Sequence, residues 1–207
     1  MNRLIIIGAG GHGKVVADIA RLNGYEDIAF LDDDQTKEAV FGCPVIGPCS
    51  DYSLYHDSDF FVAIGNCEIR RDVQMGLTAS GLHVVTLVHP FSAVASDVIL
   101  GTGTVVMAGT VINPGSVLGK GCIVNTGSTV DHDCTISDYA HISVGAHVAG
   151  TVKIGQSTWI GAGAVIKNNI SICSNCMIGA GAVLVNDATD AETYIGVPAK
   201  IMRVSDE

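Results

Sequence analysis

The feature that most constrains this chain is a six-residue period that runs through its second half. From Val88 to Leu184 every sixth residue is aliphatic, and the residue two places earlier is mostly small, as at Thr104 and Ala140. Such a repeat predicts a β-solenoid, in which three hexads form one triangular coil of about 18 residues. The aliphatic side chains point inward, and stacked coils bury together what a single hexad cannot bury alone. Five to six coils are expected.

The net charge and the composition limit the classes of binding partner that this chain can have. The chain has 207 residues with 21 acidic and 11 basic side chains, a formal net charge of −10. This balance argues against nucleic acid as a partner, because phosphate contacts need a basic surface. It also provides no long-range attraction for other polyanions, so these would have to be bound by local donors. Aromatic residues make up only 5%, whereas glycine occurs 25 times, which suits many short strands.

Neither a membrane nor an oxidising compartment is indicated. No apolar stretch is long enough to span a bilayer, and the run Leu4–Gly8 is too short for a signal-peptide core. The seven cysteines are odd in number and scattered, which favours a reducing cytoplasm over a disulfide framework. Three of them, Cys122, Cys134 and Cys176, fall in the small inward slot of a hexad, so packing explains them.

The first half predicts a short Rossmann-like domain over 1–87, followed by the solenoid over 88–207. A buried strand at 3–7 leads into Gly8-Ala9-Gly10-Gly11-His12-Gly13 and then a helical pattern. This G-x-G-x-x-G spacing lets a diphosphate approach the backbone at a helix N-terminus. Further strands are expected at 28–31, 60–66 and 84–87, and a helix at 68–80.

The glycine motif alone leaves three interpretations open: an NAD site, a nucleotide-sugar site, or a structural turn. The acids Asp32 and Asp33 after the second strand would suit a ribose in a dinucleotide site. However, a domain of about 85 residues is only half of what a six-stranded dinucleotide fold needs. His12 stands out, because a purely structural loop does not need an imidazole.

Together, these features resemble one family, the PglD/NeuD-like sugar acetyltransferases of the bacillosamine, perosamine and sialic-acid pathways. The resemblance implies a left-handed parallel β-helix, a homotrimer, acetyl-CoA between neighbouring solenoids, and a UDP- or GDP-linked sugar in the N-terminal domain. It is carried by these stretches: Gly8–Lys14, Val62–Asn66 with Arg70, His89-Pro90, Val130–Cys134, His141–Ser143 and Ile195–Lys200.

The resemblance also implies roles for individual residues. His132 matches the general base and Asp133 the carboxylate that orients it, although some relatives have Glu at that place. His141 and Gly150 match positions near the thioester. The nucleotide-sugar half comprises Gly10, Gly11, His12, Gly13, Asp32, Asp33, Gly65, Asn66 and Arg70.

Acetyl-CoA, the acyl donor, needs positive partners for its phosphates and a path close to the backbone. The few cations beyond His132 are Lys153, Lys167, Lys200 and Arg203, of which Lys167 and Lys200 are the main candidates. Gly161 belongs to a run of small residues that would let pantetheine lie close to the chain.

The expected activity is therefore N-acetylation of the amino group of a nucleotide-linked sugar, of the UDP-4-amino-4,6-dideoxy type. A histidine with a pKa near 6.5 can accept the proton of the attacking amine, and a backbone N–H can stabilise the oxyanion. Gly150 follows His132 by three hexads, which is one full coil, and should stack against it. His132 and Asp133 can meet only if the chain turns a corner there.

Four alternatives remain open. O-acetylation of sialic acid or another sugar needs the same base and the same oxyanion donor. A dehydrogenase would use the glycine loop for NAD, and a bare solenoid would have no activity. A zinc lyase like the gamma-type carbonic anhydrases would need three histidine ligands. The spacings among His132, His141 and His147 do not follow that pattern, so no metal is expected.

The trimer implied by the resemblance is a first testable prediction. Between residues 100 and 130 the only charged side chain is Lys120, which suits burial of solenoid faces against neighbours. We expect sedimentation equilibrium to show a trimer at micromolar concentration, and a monomer at that concentration would contradict this prediction.

Overall fold

The computed structural model describes residues 3–203 in two compact units, one ending at Pro90 and the other beginning at Phe91. The sequence places its boundary between 87 and 88. The two units are described separately below.

The first unit is built on a four-stranded parallel sheet. Its strands lie side by side in the order Ile28–Leu31, Leu4–Ile7, Asp59–Val62 and His83–Val84. The first three strands are buried along their whole length, as expected for a parallel sheet covered on both faces. In the chain, the helix Gly11–Leu22 follows the strand Leu4–Ile7, and the helix Cys67–Ala79 follows the strand Asp59–Val62. This strand–helix alternation is the predicted Rossmann-like arrangement, with four strands instead of six.

The N-termini of the two helices are capped in different ways. The helix Gly11–Leu22 begins within the glycine motif, with Gly10 as an N-cap that offers no side-chain hydrogen bond. The helix Cys67–Ala79 is capped by Asn66, whose side-chain oxygen accepts from the N–H groups of Glu68 and Ile69. The remaining elements of this unit are the strand pair Ala39–Val40 and Cys43–Pro44, the 3₁₀ helix Cys49–Leu54 and the strand Leu87–Val88.

The second unit is the parallel solenoid, of about six turns. From Ala93–Val94 to Val165–Ile166 each strand pairs in parallel with the strand one coil later, as in Val111↔Thr129, Val117↔Thr135 and Ile123↔His141. This register produces three sheets, one for each face of the coil. At the end of the unit, Lys200–Ile201 pairs antiparallel with Thr193–Ile195. The strands are Ala93–Val94, Ile99–Leu100, Val105–Val106, Val111–Ile112, Val117–Leu118, Ile123–Val124, Thr129–Val130, Thr135–Ile136, His141–Ile142, His147–Val148, Lys153–Ile154, Trp159–Ile160, Val165–Ile166, Ser171–Ile172, Met177–Ile178, Val183–Leu184, Thr193–Ile195 and Lys200–Ile201.

The solenoid core follows the sequence period. From Val106 to Leu184 every aliphatic of the repeat is at most 3% exposed, and the small residues beside them are equally buried. Where the small residue is a threonine, its hydroxyl is hydrogen-bonded between coils. Thr104 Oγ1 donates to Gly119 O and accepts from Cys122 N. Buried hydroxyls are tolerated because these bonds offset the cost of removing them from water.

A second signal of period six lies at the corners and was not recognised in the sequence. The third residue after the inward aliphatic has a positive φ at every step from Gly103 to Gly181. Eight of these residues are glycine, which reaches this region without a steric penalty. The others are Asp133, Tyr139, Thr151, Ser157, Asn169 and Asn175.

Two further observations concern the α-helices and the cysteines. Within residues 3–203 neither α-helix is long and apolar enough to cross a bilayer. All seven cysteines are free thiols, including Cys122, Cys134 and Cys176 in the buried inward slot.

The core geometry predicts unequal effects of two adjacent substitutions. Ile136 is 1% exposed and points inward, whereas Thr135 is exposed on the outer side of the same strand. Ile136→Ala should lower the free energy of unfolding by about 2–5 kcal/mol because it leaves a cavity. Thr135→Ala should change it by less than about 0.5 kcal/mol. Urea denaturation measures both, and equal losses would contradict the inward assignment of Ile136.

Candidate active site

The corner after the strand Thr129–Val130 brings His132 and Asp133 together. Asp133 has a φ of 58°, so the chain turns between the two faces, and His132 Nδ1 lies 2.8 Å from Asp133 Oδ2. An ionised carboxylate only accepts hydrogen bonds, so the proton is on Nδ1 and Nε2 keeps its lone pair. This is the tautomer that a general base requires. The corner anticipated from the sequence is therefore present.

Gly150 lies beside this imidazole, one coil further on. A Cβ placed on Gly150 would be 2.6 Å from His132 Nε2, so only glycine leaves room for the ring. Thr151 N donates to His132 O at 2.9 Å and holds the two coils in register. Within residues 3–203 the N–H of Gly150 has no acceptor. The corner thus presents a basic nitrogen next to an unused backbone donor.

Two carboxylates near His132, those of Asp131 and Asp133, affect its pKa. The hydrogen bond to Asp133, aided by the charges of Asp131 and Asp133, raises the pKa of His132 above its ordinary value. Asp131 Oδ1 accepts from Asn113 Nδ2 at 2.7 Å and from His132 N at 2.8 Å, and these bonds lower the pKa of Asp131. Neither Asp131 nor Asn113 was expected in the site, although their spacing of one full coil connects them.

A cleft of about 410 Å³ opens on the solenoid face that ends at this corner. On it, His147 Nδ1 lies 3.0 Å from Thr129 Oγ1. His147 therefore faces the cleft instead of the corner that holds His132. The cleft is lined by Val111, Asn113, Thr129, Asp131, His147, Val148, Ala149, Val165 and Ile166.

His141 lies on a different face from His147. It is 7% exposed and stacks on Trp159, with ring centroids 4.6 Å apart and planes 29° from parallel. Its Nε2 is 3.3 Å from Asn125 Nδ2, while Trp159 Nε1 donates to Ser143 Oγ at 2.6 Å. Trp159 was missed in the sequence, although it follows His141 by one full coil and must therefore stack on it.

The residues expected to hold coenzyme A are of two kinds. Gly161 is explained by packing, because a Cβ there would lie 2.5 Å from Ile178 O in the next coil. The cations Lys153, Lys167, Lys200 and Arg203 are all exposed. Lys167 directly follows Val165 and Ile166 of the cleft, so a basic side chain lies next to that end of it.

In the first unit, the glycines of the loop divide into structural and open positions. A Cβ on Gly8 would meet Ala63 O at 2.9 Å, and one on Gly13 would clash with Gly8 O. In contrast, Gly10, Gly11 and Gly65 have nothing within 4 Å of such a Cβ. The open pair lies at the N-terminus of the helix Gly11–Leu22, where backbone N–H groups and the helix dipole favour an anion.

His12 and Arg70 lie beneath this loop. Burial lowers the pKa of His12 to about 4, with a further contribution from the positive charge of Arg70. His12 is therefore neutral at physiological pH. Arg70 is fully buried, and its Nη1 donates to the carbonyl oxygens of Ile64 and Gly65 at 2.8 Å each. The guanidinium thus fixes the backbone of the loop 63–66. Asn66 also stabilises this loop, because it caps the helix Cys67–Ala79.

The acids after the second strand also hold loops. Asp32 Oδ2 accepts from Ala9 N at 2.6 Å, and its Oδ1 lies 3.0 Å from Lys37 Nζ. Burial alone would raise the pKa of Asp32, but the hydrogen bonds from Ala9, Asp34 and Lys37 outweigh it, and the pKa is lowered. Asp33 Oδ1 accepts from Cys49 N at 2.9 Å. Lys37 was not anticipated from the sequence.

No metal centre is formed by these residues. Among residues 3–203, no three histidine, cysteine, aspartate or glutamate side chains lie close enough to hold an ion together. His132, His141 and His147 lie on a corner and on two different faces.

A hexapeptide solenoid with a histidine–carboxylate pair at one corner fits a hexapeptide-repeat acyltransferase. Comparison with known proteins supports this class at both ends of the chain. Residues 3–77 match the family described as the PglD N-terminal domain, and residues 151–186 match the bacterial transferase hexapeptide family.

Solved structures resemble the chain along nearly its full length. The acetyltransferase domain of PglB from Neisseria gonorrhoeae is 44% identical over 98% of this chain and 100% of that one, with a TM-score of 0.94. A mutant of perosamine N-acetyltransferase from Caulobacter crescentus, solved with CoA and GDP-perosamine, is 36% identical over 99% and 98%, with a TM-score of 0.95. The chain therefore belongs to the PglD-like family of acetyl-CoA-dependent acetyltransferases.

A curated relative matches over a shorter segment. UDP-N-acetylbacillosamine N-acetyltransferase from Bacillus subtilis is 33% identical over 113 residues, which are 52% of this chain and 52% of that protein. The chain thus matches about half the length of this relative.

The Asp133 contact predicts a shift in pH dependence. A base acts only when unprotonated, and Asp133 raises the pKa of His132, so Asp133→Asn should lower that pKa toward 6.5. The acid limb of kcat/KM should then move to lower pH, while its maximum falls because the ring is less well oriented.

Histidine NMR titration measures the pKa of His132 directly. The control is Asp138→Asn, which removes a carboxylate that accepts from Lys120 N at another corner. An unchanged His132 pKa in the Asp133 variant would show that this carboxylate does not control the ring.

Proposed function

We propose that this chain transfers the acetyl group of acetyl-CoA to the amino group of a nucleotide-linked amino sugar, of the UDP-4-amino-4,6-dideoxy type. The observation that carries this proposal is the His132–Asp133 pair beside the unused N–H of Gly150, on a chain of this family. The named activities of the B. subtilis and C. crescentus relatives, both N-acetyltransferases, favour an amine acceptor over a hydroxyl.

The chemistry proceeds by direct transfer. His132 Nε2 accepts the proton of the amine as its nitrogen attacks the thioester carbonyl carbon. The Gly150 N–H donates to the oxyanion that develops. As the C–S bond breaks, protonated His132 returns the proton to the departing thiolate. Asp133 accepts the hydrogen bond from Nδ1 and stabilises the imidazolium in between.

The cleft supports a path for the acyl donor. It reaches from Asp131, at the catalytic corner, past Ala149 to Val165 and Ile166. We place the pantetheine arm along this apolar floor and the phosphates near Lys167, with Lys200 as a second candidate. Because the net charge is −10, these contacts must be local.

The first unit is assigned to the nucleotide. Gly10 and Gly11 leave free space at a helix N-terminus, where backbone N–H groups favour a diphosphate, and Gly65 leaves free space at the loop 63–66. His12, Asp32, Asp33, Asn66 and Arg70 support these loops through burial and hydrogen bonds. We assign the complete enzyme as a homotrimer in the cytoplasm.

The decisive experiment is a screen of UDP- and GDP-linked 4-amino sugars with acetyl-CoA, in which release of free thiol is followed. His132→Gln should lower kcat by about 10²–10⁴-fold, the range typical of a lost general base, and leave acetyl-CoA affinity nearly unchanged.

A matched control is His83→Gln. His83 Nδ1 also lies 2.8 Å from a carboxylate, that of Asp59, but in the first unit, and it should be dispensable. Transfer to hydroxyl sugars alone would redirect the assignment to O-acetylation. Wild-type rates in the His132 variant would remove it from the mechanism.

A further inference from the structure

We infer that Thr151 is a positioning residue that, together with Asn169, fixes the backbone at Gly150 so that its N–H faces the thioester carbonyl. This inference rests on the proposed acetyl transfer and adds to it a side chain that has no direct contact with the reacting atoms. It starts from the contacts of the peptide that joins Gly150 to Thr151.

That peptide is held at both ends. Its N–H, on Thr151, donates to His132 O at 2.9 Å. Its carbonyl, on Gly150, accepts from Asn169 N at 3.1 Å and from Thr151 Oγ1 at 2.6 Å. The Thr151 hydroxyl also contacts Asn169 Oδ1. The coils that carry His132, Gly150 and Asn169 are therefore connected at this corner.

Gly150 itself needs such restraint. It lacks a Cβ because the His132 imidazole occupies that space, so its backbone is not confined by side-chain sterics. The preceding peptide carries the N–H proposed as the oxyanion donor. Among residues 3–203, its carbonyl, on Ala149, accepts only the weak Sγ–H of Cys134 at 3.2 Å. The strong anchors are all on the Thr151 side.

The backbone of Thr151 is unusual among the corners. Its φ is 59°, a left-handed conformation that is an outlier for a β-branched residue. The other non-glycine corners carry Asp, Tyr, Ser or Asn, so Thr151 is the one β-branched residue with positive φ within residues 3–203. Such outliers persist where surrounding contacts over-determine them, and they cluster at functional sites.

This combination separates stability from function. Thr151→Gly removes the hydroxyl and at the same time relieves the left-handed strain, so its melting temperature should not fall. If Thr151 positions Gly150, kcat for acetyl transfer should nevertheless fall by about 10- to 100-fold, as expected when a reacting group is misplaced by about 1 Å. KM for both substrates should stay within about threefold.

Two further variants complete the experiment. Thr151→Ser keeps the hydroxyl and should retain kcat within about threefold. Ser157→Gly is the matched control, because Ser157 has a φ of 56° and its buried hydroxyl has no partner within residues 3–203. Parent-like kcat in Thr151→Gly would overturn the inference. So would a loss of kcat accompanied by a lower melting temperature, or an equal loss in Thr151→Ser.

Slow hydrolysis of acetyl-CoA, measured without sugar, keeps this test independent of the acceptor. The reaction transfers the acetyl group to water and needs the same oxyanion donor. If the parent acetylates no nucleotide amino sugar but hydrolyses acetyl-CoA, and Thr151→Gly slows this hydrolysis about 10-fold, the proposed function fails and the inference stands. If the parent shows neither reaction, both are overturned.

Discussion

The fixed register between successive coils determines most of what this molecule can do. From Ala93–Val94 to Val165–Ile166 each strand is paired through backbone hydrogen bonds to the strand one coil later, so residues separated by three hexads stack directly. This stacking places Gly150 against His132 and Trp159 against His141. The two residues of each pair are three hexads apart in sequence, and without the fixed register they would not lie close together in space. The site depends on backbone hydrogen bonds before any side chain contributes.

The inward period of the solenoid could be read from the sequence because it has one simple physical cause. An aliphatic residue at every sixth position is needed to fill the prism, and burial from Val106 to Leu184 follows that pattern. The corners carry an equally regular signal in their left-handed residues. That signal was hidden because only part of these positions are glycine, and because Asp, Asn, Ser, Thr or Tyr there resembles ordinary surface composition.

The site was predictable only in part. The motif around His132 indicated a pair of His132 and Asp133, proposed here as base and carboxylate. Their contact depends on a positive φ at Asp133, which residue identity does not reveal. In the first unit, the sequence indicates a ligand loop but cannot separate glycines that pack from glycines that are open. Gly13 and Gly10 belong to the same motif and have the same residue type. Only the position of Gly8 O shows which of them has no room for a side chain. Likewise, the role of Arg70 as a support of the loop is shown by its burial and by its hydrogen bonds to Ile64 O and Gly65 O, which the sequence does not reveal.

The three-hexad coil also limits how such a chain can change its length. One complete coil can be added or removed, and every later side chain keeps its face and its inward or outward direction. A change of a single hexad moves all later strands to the next face and separates stacked pairs such as His141 and Trp159. A change of one residue turns the inward aliphatics outward. Insertions and deletions in this unit are therefore expected in multiples of one coil. Only such changes keep the residues that stack at the corner of His132 in place.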